Sequence, residues 1–201
     1  TGVAFWHYMY MREHWILTGE SPIVYRYVDW FITVPLQIVE FYFILAAVTT
    51  VTVMLFWRLL TASILMLLFG FLGETEMLGG SPLVWWFLGM VCWLYIIYEI
   101  FRGEAAILNQ ESQNEAGQMG FTALKWIVTI GWAIYPIGYL YGLEETTILG
   151  VRITNTAYSL ELINIIYNLA DLVNKTAFGV AIWLAAKKDS QDAQERRSFM
   201  L

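Results

Sequence analysis

A lysine, Lys175, lies inside a long apolar segment near the C-terminus, and Asp171 precedes it by one helical turn. An ammonium group in hydrocarbon is costly, so an intramembrane lysine indicates a functional site and requires a partner. The candidate partners are Asp171 and, from a different segment, Asp29. A buried amine between two carboxylates suits a protonated Schiff base, in which a covalently held aldehyde gives the nitrogen a fixed positive charge beside its counter-ions.

A second group of polar side chains follows one face of another apolar segment. Its members are Arg26, Asp29, Thr33, Gln37 and Glu40, and their steps of three and four residues follow the helical period. Asp29 and Glu40 would lie ~16 Å apart along such a helix, about half the thickness of the hydrocarbon layer. Two carboxylates so placed, with a hydroxyl and an amide between them, indicate a proton path. The alternative is a polar seam that joins helices by hydrogen bonds, but three ionisable groups are a costly way to do so.

The charge states along this face are predicted to differ. Arg26 lies one turn before Asp29 and is expected to keep that carboxylate ionised. Glu40 has no evident cationic neighbour in the sequence, so we expect it to be protonated at rest.

The composition is that of a membrane protein, because 59% of the 201 residues are hydrophobic and only 14% are charged. A membrane-spanning helix needs about 20 apolar residues. Suitable apolar stretches cover residues 23–54, 55–72, 83–101, 120–143 and 157–186, and a shorter aromatic stretch covers residues 1–11. We therefore predict an all-α membrane bundle over residues 1–188, followed by a polar and mobile tail over residues 189–201.

Basic residues are distributed unevenly between the connections. One side of the predicted bundle carries Arg58, Arg102, Lys125 and the lysines and arginines after residue 186. The other side carries only Arg12 and Arg152. The positive-inside rule then places the C-terminus and residues 102–118 in the cytoplasm, and the connections 12–21, 73–82 and 141–156 outside. The single cysteine, Cys92, excludes a disulfide framework or a thiolate metal site within one chain. We expect no metal site and no nucleic-acid partner.

With these residues in place, the chain resembles the microbial rhodopsins, and most closely the proteorhodopsins of marine bacteria. The resemblance covers nearly the whole chain and is carried by RYVDWFITVPLQIVEFYFILAA at residues 26–47, GWAIYPIGY at residues 131–139 and IYNLADLVNK at residues 166–175. It implies a seven-helix rhodopsin bundle, of which about six helices are expected here, because the chain is expected to lack the first helix and about half of the second. It also implies a multi-pass protein of the bacterial inner membrane, in contact with lipid, that commonly forms pentamers or hexamers.

The resemblance implies roles for the four principal residues. Lys175 would bind all-trans retinal as a Schiff base. Asp29 would be the primary counter-ion and proton acceptor, and Asp171 the second counter-ion. Glu40 would be the cytoplasmic proton donor. The chain would then be a light-driven ion transporter, not an enzyme, and would pump protons outwards.

Further positions match the family around this centre. Arg26 would shape the field on the outward side, Thr33 would lie beside the Schiff base, and His7 would pair with the counter-ion carboxylate. The matches to the aromatic positions that enclose the polyene are Trp30, Trp132 and Tyr135, with Trp93 a further candidate, and Pro136 would kink the helix beside the ring. Ordinary packing explains such aromatic residues equally well when they are taken alone.

Gln37 lies where green-absorbing proteorhodopsins carry leucine and blue-absorbing ones carry glutamine, so the resemblance implies a blue-tuned pigment. An alternative function is that of a photosensory rhodopsin with a slow photocycle, which signals through a membrane partner. Glu40 favours the pump, because sensors of this family commonly lack a carboxylate donor.

Overall fold

The computed structural model describes residues 2–143, 145–148, 151–154 and 157–199. Eight α-helices occur in the described residues, and a π-helical turn at Ile127–Gly131 lies between the sixth and the seventh. The helices are α1 (Gly2–Thr18), α2 (Ile23–Val48), α3 (Val53–Thr75), α4 (Pro82–Phe101), α5 (Glu104–Glu111), α6 (Glu115–Trp126), α7 (Ile134–Gly142) and α8 (Ala157–Ser198). The strands β1 (Glu145–Ile148) and β2 (Val151–Thr154) form a small antiparallel hairpin before α8.

In the part of the chain that the structure describes, five helical stretches are long and apolar enough to cross a membrane. They are α2, α3, α4 together with α5, the run from α6 through α7, and most of α8. The shorter α1 packs against α2. The all-α membrane bundle expected from the sequence is therefore confirmed, with the hairpin confined to one connection.

The helix α2 shows how the bundle divides between core and lipid. Its exposed apolar residues recur at positions 24, 28, 32 and 36, whereas Arg26, Asp29 and Trp30 are buried on the opposite face. A helix in a membrane can expose an apolar face because lipid is as apolar as the side chains, so the polar face must point inwards. This arrangement directs the polar stripe of α2 towards α8.

Several boundaries differ from those predicted. The apolar run 23–54 ends earlier, because α2 stops at Val48 and Thr49 is extended, with φ −152° and ψ 172°. The segment that connects α2 to α3 consists of threonine and valine, whose hydropathy does not reveal a break. The predicted connection 12–21 is shorter, because α1 continues to Thr18, and the predicted connection 102–118 is largely helical. The polar residues 189–198 continue α8 as a helix, and their mobility stays a prediction.

The run from α6 to α7 is irregular where it borders the interior. The π-helical turn and Pro136 leave backbone carbonyls without their usual helical donors, and other groups in a membrane must then satisfy those carbonyls. Side chains of α4 and α8 donate to four backbone carbonyls of this run: Trp93 Nε1 to Val128 at 3.1 Å, Trp86 Nε1 to Pro136 at 3.0 Å, Asn174 Nδ2 to Gly131 at 2.8 Å and Tyr167 Oη to Tyr135 at 2.8 Å. These bonds attach the irregular helix to both neighbours and hold it against Lys175.

Candidate functional site

Lys175 is 8% exposed and points from α8 into the centre of the bundle. Its Nζ donates a hydrogen bond to Asp171 Oδ2 at 2.7 Å and another to Asp29. Asp29 is completely buried, and Asp171 is nearly so. The structure thus brings together the amine and the two carboxylates that the sequence singled out. The pairing compensates the cost of a charged lysine in the membrane interior.

The two carboxylates differ in their other partners. Among the described residues Asp29 has one, since its Oδ1 lies 3.1 Å from His7 Nδ1. Asp171 has three, because it accepts hydrogen bonds from the hydroxyls of Tyr8 and Tyr135 and from Trp30 Nε1 at 3.1 Å. Hydrogen bonds to an ionised carboxylate favour its charged form. Asp171 is therefore the carboxylate whose position is fixed by more donors.

Arg26 contacts groups other than Asp29. It is buried but forms no ion pair with Asp29 in the part of the chain that the structure describes. Its Nη2 donates to the side-chain oxygen of Asn164 and lies 3.4 Å from Ser21 Oγ, and its Nη1 lies 3.9 Å from a carboxylate oxygen of Glu74. The physical reason is that side chains on a helix lean towards its N-terminus, so Arg26 extends away from Asp29, which follows it along α2.

The remaining members of the α2 stripe are separated from this network. Thr33 Oγ1 donates to the backbone carbonyl of Asp29 at 3.0 Å, one turn earlier on the same helix. Gln37 lines the central cavity. Glu40 is partly buried, and within the described residues it has no hydrogen bond or ion pair.

A cavity of about 110 Å³, counted as the space open to the centre of a water molecule, adjoins Lys175 and Asp171. All six of the other predicted chromophore contacts line it: Trp30, Gln37, Trp93, Trp132, Tyr135 and Pro136. Its surface is otherwise mainly aliphatic and aromatic, with contributions from Val34, Met66, Leu67, Trp86 and Met90. An apolar cavity whose wall carries a buried amine suits a long apolar aldehyde such as retinal, so the residues present fit that group.

Five residues of the site were not found from the sequence: Tyr8, Glu74, Trp86, Asn164 and Asn174. Tyr8 and Asn174 are neighbours in sequence of His7 and Lys175, which is a weak signal because adjacent residues of a helix point in different directions. Glu74 lies at the end of an apolar segment and was assigned to a connection with other acidic residues. Only the packing of α3 against α2 reveals its contact with Arg26.

Comparisons with known proteins agree with this geometry. A family model described as bacteriorhodopsin-like protein matches residues 1–189. The green-light absorbing proteorhodopsin of gamma-proteobacterium EBAC31A08 is 46% identical over 194 residues, which cover 96% of this chain and 73% of that protein. The blue-light absorbing proteorhodopsin of gamma-proteobacterium Hot 75m4 is 47% identical over 199 residues, which cover 96% of this chain and 72% of that protein.

Two solved structures have the same fold. The blue light-absorbing proteorhodopsin from Med12 is 53% identical, with a TM-score of 0.72 and coverage of 94% of this chain and 78% of that one. The rhodopsin of Exiguobacterium sibiricum is 29% identical, with a TM-score of 0.73. The match covers 89% of this chain and 77% of that one.

Proposed function

The chain belongs to the bacteriorhodopsin-like family, and from this membership we propose that it is a light-driven pump that moves protons outwards, with all-trans retinal bound to Lys175. The observation that carries the proposal is the position of Lys175 Nζ, which hydrogen-bonds both Asp29 and Asp171 at the wall of an aromatic cavity. The proposed class is a membrane transporter, not an enzyme.

Retinal, joined to Lys175 as a Schiff base, would supply light absorption and a photoisomerisation that changes the surroundings of the nitrogen. The rings that line the cavity beside Lys175 would hold the retinal and exclude water. They belong to Trp30, Trp93, Trp132 and Tyr135. Asp29 and Asp171 would balance the positive charge at Nζ, to which both are hydrogen-bonded.

Asp29 is the better proton acceptor of the two carboxylates. Both carboxylates accept a hydrogen bond from Lys175 Nζ, so a proton at that nitrogen has only to cross an existing bond to reach either, and the two differ in their other partners. Three neutral donors hold Asp171, whereas among the described residues the carboxylate of Asp29 has one further partner, His7. Asp171 thus supplies a fixed negative charge while Asp29 gains and loses a proton.

Glu40 is the proposed source of the returning proton. It lies ~16 Å from Asp29 along α2, on the opposite side of Lys175 from Arg26. With no cation paired to it among the described residues, a partly buried carboxyl group is more stable when neutral and so would hold a proton that it can donate to Lys175 Nζ. Acceptance by Asp29 on one side and resupply from Glu40 on the other give the transport a direction.

The finer features of the proposal follow from the same residues. Gln37 places a polar amide in the cavity wall, which supports a blue-tuned pigment. The excess of basic residues at the Glu40 end supports a cytoplasmic C-terminus in the bacterial inner membrane. A homo-oligomer of five or six subunits stays a prediction.

The test is a visible spectrum and a pH measurement on a bacterial host that expresses this chain. Addition of all-trans retinal is expected to produce an absorption band in the blue-green, and illumination of the intact cells is expected to acidify the unbuffered medium. A protonophore should abolish the acidification. A pigment whose illumination leaves the medium unchanged would favour the photosensory alternative, and alkalinisation would contradict the direction. Failure to form any pigment would contradict the retinal assignment.

A further inference from the structure

Arg26 occupies a polar pocket at the outward end of the bundle and is only 3% exposed. Its guanidinium group lies over the rings of Trp30 and Tyr167, with its central carbon 5.8 and 4.8 Å from the two centroids. Its hydrogen-bonding partners, Asn164 and Ser21, are neutral. A buried cation needs an anion, and the one within ion-pairing distance in the described part of the chain is Glu74, at 3.9 Å.

Glu74 lies in the last turn of α3, with a side chain that is 14% exposed. The hydroxyl of Tyr27 donates to its Oε1 at 3.2 Å and fixes the direction of the carboxylate. The groups that face it from the surrounding helices are Arg26 and Tyr27 of α2, Tyr139 of α7 and Tyr167 of α8. Arg26 is the one cation among them, so the attraction between Glu74 and Arg26 is not shared with a second positive group.

The position of Arg26 affects Lys175 through the counter-ions. Asp29 is one helical turn away from Arg26 on α2, and its carboxylate lies against Lys175 Nζ. A positive charge that approached Asp29 or Asp171 would reduce their field at Nζ, because the interaction between charges rises as their separation falls and is strong where water is excluded. An anion that retains Arg26 on the outward side therefore preserves the full effect of both counter-ions.

On the basis of the function proposed above, we propose that Glu74 is a positioning residue of the site, which holds Arg26 on the outward side and away from the Asp29, Lys175 and Asp171 group. It acts through Arg26 and does not itself exchange a proton with Lys175. The contact joins α3 to α2, so it also couples the charge state at Lys175 to a helix that contributes no other ionised group to that network.

The test measures the absorption maximum of the dark pigment, with Glu74→Gln as the main variant. Glutamine keeps the size of the side chain and can still accept from Tyr27, but it removes the charge that retains Arg26. Arg26 should then move towards the counter-ions, and the band should shift to longer wavelength, because a weaker counter-ion field stabilises the positive nitrogen less in the ground state. The matched control is Glu76→Gln, which removes the same charge from an exposed residue two positions later and should leave the band unchanged.

A double-mutant comparison separates an effect through Arg26 from a direct effect of Glu74, which also lines the cavity. In an Arg26→Gln background, Glu74→Gln should cause no further shift. Glu74→Asp keeps the negative charge but moves it further from Arg26, because the side chain is one methylene shorter, and it should give a smaller shift than Glu74→Gln. If Glu74→Gln forms no pigment, Glu74→Asp carries the test alone. An unchanged band in the variants that form pigment, or an equal shift in both backgrounds, would overturn the inference. The absence of pigment from the unaltered chain would instead refute the proposed function.

Discussion

The two halves of the bundle on either side of Lys175 differ in how their charges are partnered. Towards the Arg26 end, side chains of α1, α2 and α8 form one connected network, from His7 through Asp29 and Lys175 to Asp171 and Tyr8. Towards the other end, Glu40 is without a hydrogen bond or ion pair in the described residues. In the proposed pump, transfer from Lys175 to Asp29 would therefore need little rearrangement, whereas transfer from Glu40 would need a connection that the described residues do not contain.

Charged residues do occur at the end of the bundle beyond Glu40. Arg58 of α3 pairs with Glu104 of α5 and lies 3.6 Å from Glu99 of α4. Glu99 also accepts from the backbone N–H of Ala105 at 3.3 Å. These contacts join three helices and leave Glu40 to one side. For the proposed pump, this difference would mean that the acceptor is prearranged by its partners, whereas the donor has no partner among the described residues.

The largest effect is expected from removal of the group that divides the two halves. Lys175→Ala should abolish the visible pigment, because no other buried amine in the described residues is placed to hold the chromophore. The measurement is the absorption spectrum after addition of all-trans retinal. Lys125→Ala is the control, since Lys125 lies on α6 over the ring of Phe101 and should be dispensable. A pigment that survives Lys175→Ala would refute the assignment of the site.

Asp29→Asn removes the acceptor while leaving the lysine in place. The pigment should form, absorb at longer wavelength and no longer acidify the medium in light, because asparagine preserves the shape of the side chain but neither balances Nζ nor accepts its proton. Spectra and pH traces from the same preparation check both effects. A variant that pumps at the normal rate would show that His7 or Asp171 accepts the proton instead.

Glu40→Gln tests the other half. The spectrum should hardly change, whereas the late part of the photocycle should slow by ~100-fold, a typical contribution of a positioned general acid. Flash photolysis measures the decay, and a small weak acid in the medium should partly restore the rate by supplying the missing proton. Glu111→Gln, on the exposed end of α5, is the matched control. An unchanged decay would mean that the proton returns by a different route.

The same contrast explains what could be read from the sequence. The pairing of Lys175 with Asp29 and Asp171 was predictable, because charge in hydrocarbon requires partners and few candidates exist. The inward face of α2 followed from the spacing of its polar residues, with Asp29 and Trp30 buried as expected. Both inferences depend on physics that acts within one helix or between very few charges.

Contacts between helices were not predictable in this way. The spacing along α2 places Arg26 one turn from Asp29, but it does not show that α3 brings Glu74 to the other side of the guanidinium group. The end of α2 at Val48 was missed because threonine and valine continue an apolar pattern whether or not the backbone remains helical. Tyr8 was missed because its role depends on the approach of α1 to α8, which a hydropathy pattern does not specify.

The smallest effect is expected at Gln37, which lies on α2 between the two halves and lines the cavity. Gln37→Leu should shift the absorption band to longer wavelength while leaving pigment formation and the direction of pumping intact. The reason is that the amide dipole acts on the charge distribution of the conjugated chain, whereas neither the acceptor nor the donor is altered. The measurement is the difference in absorption maximum between the variant and the unaltered chain, with Gln110→Leu on the exposed face of α5 as the control. A loss of pumping in Gln37→Leu would instead make Gln37 part of the connection that Glu40 lacks at rest, and the two halves would then be joined through this amide.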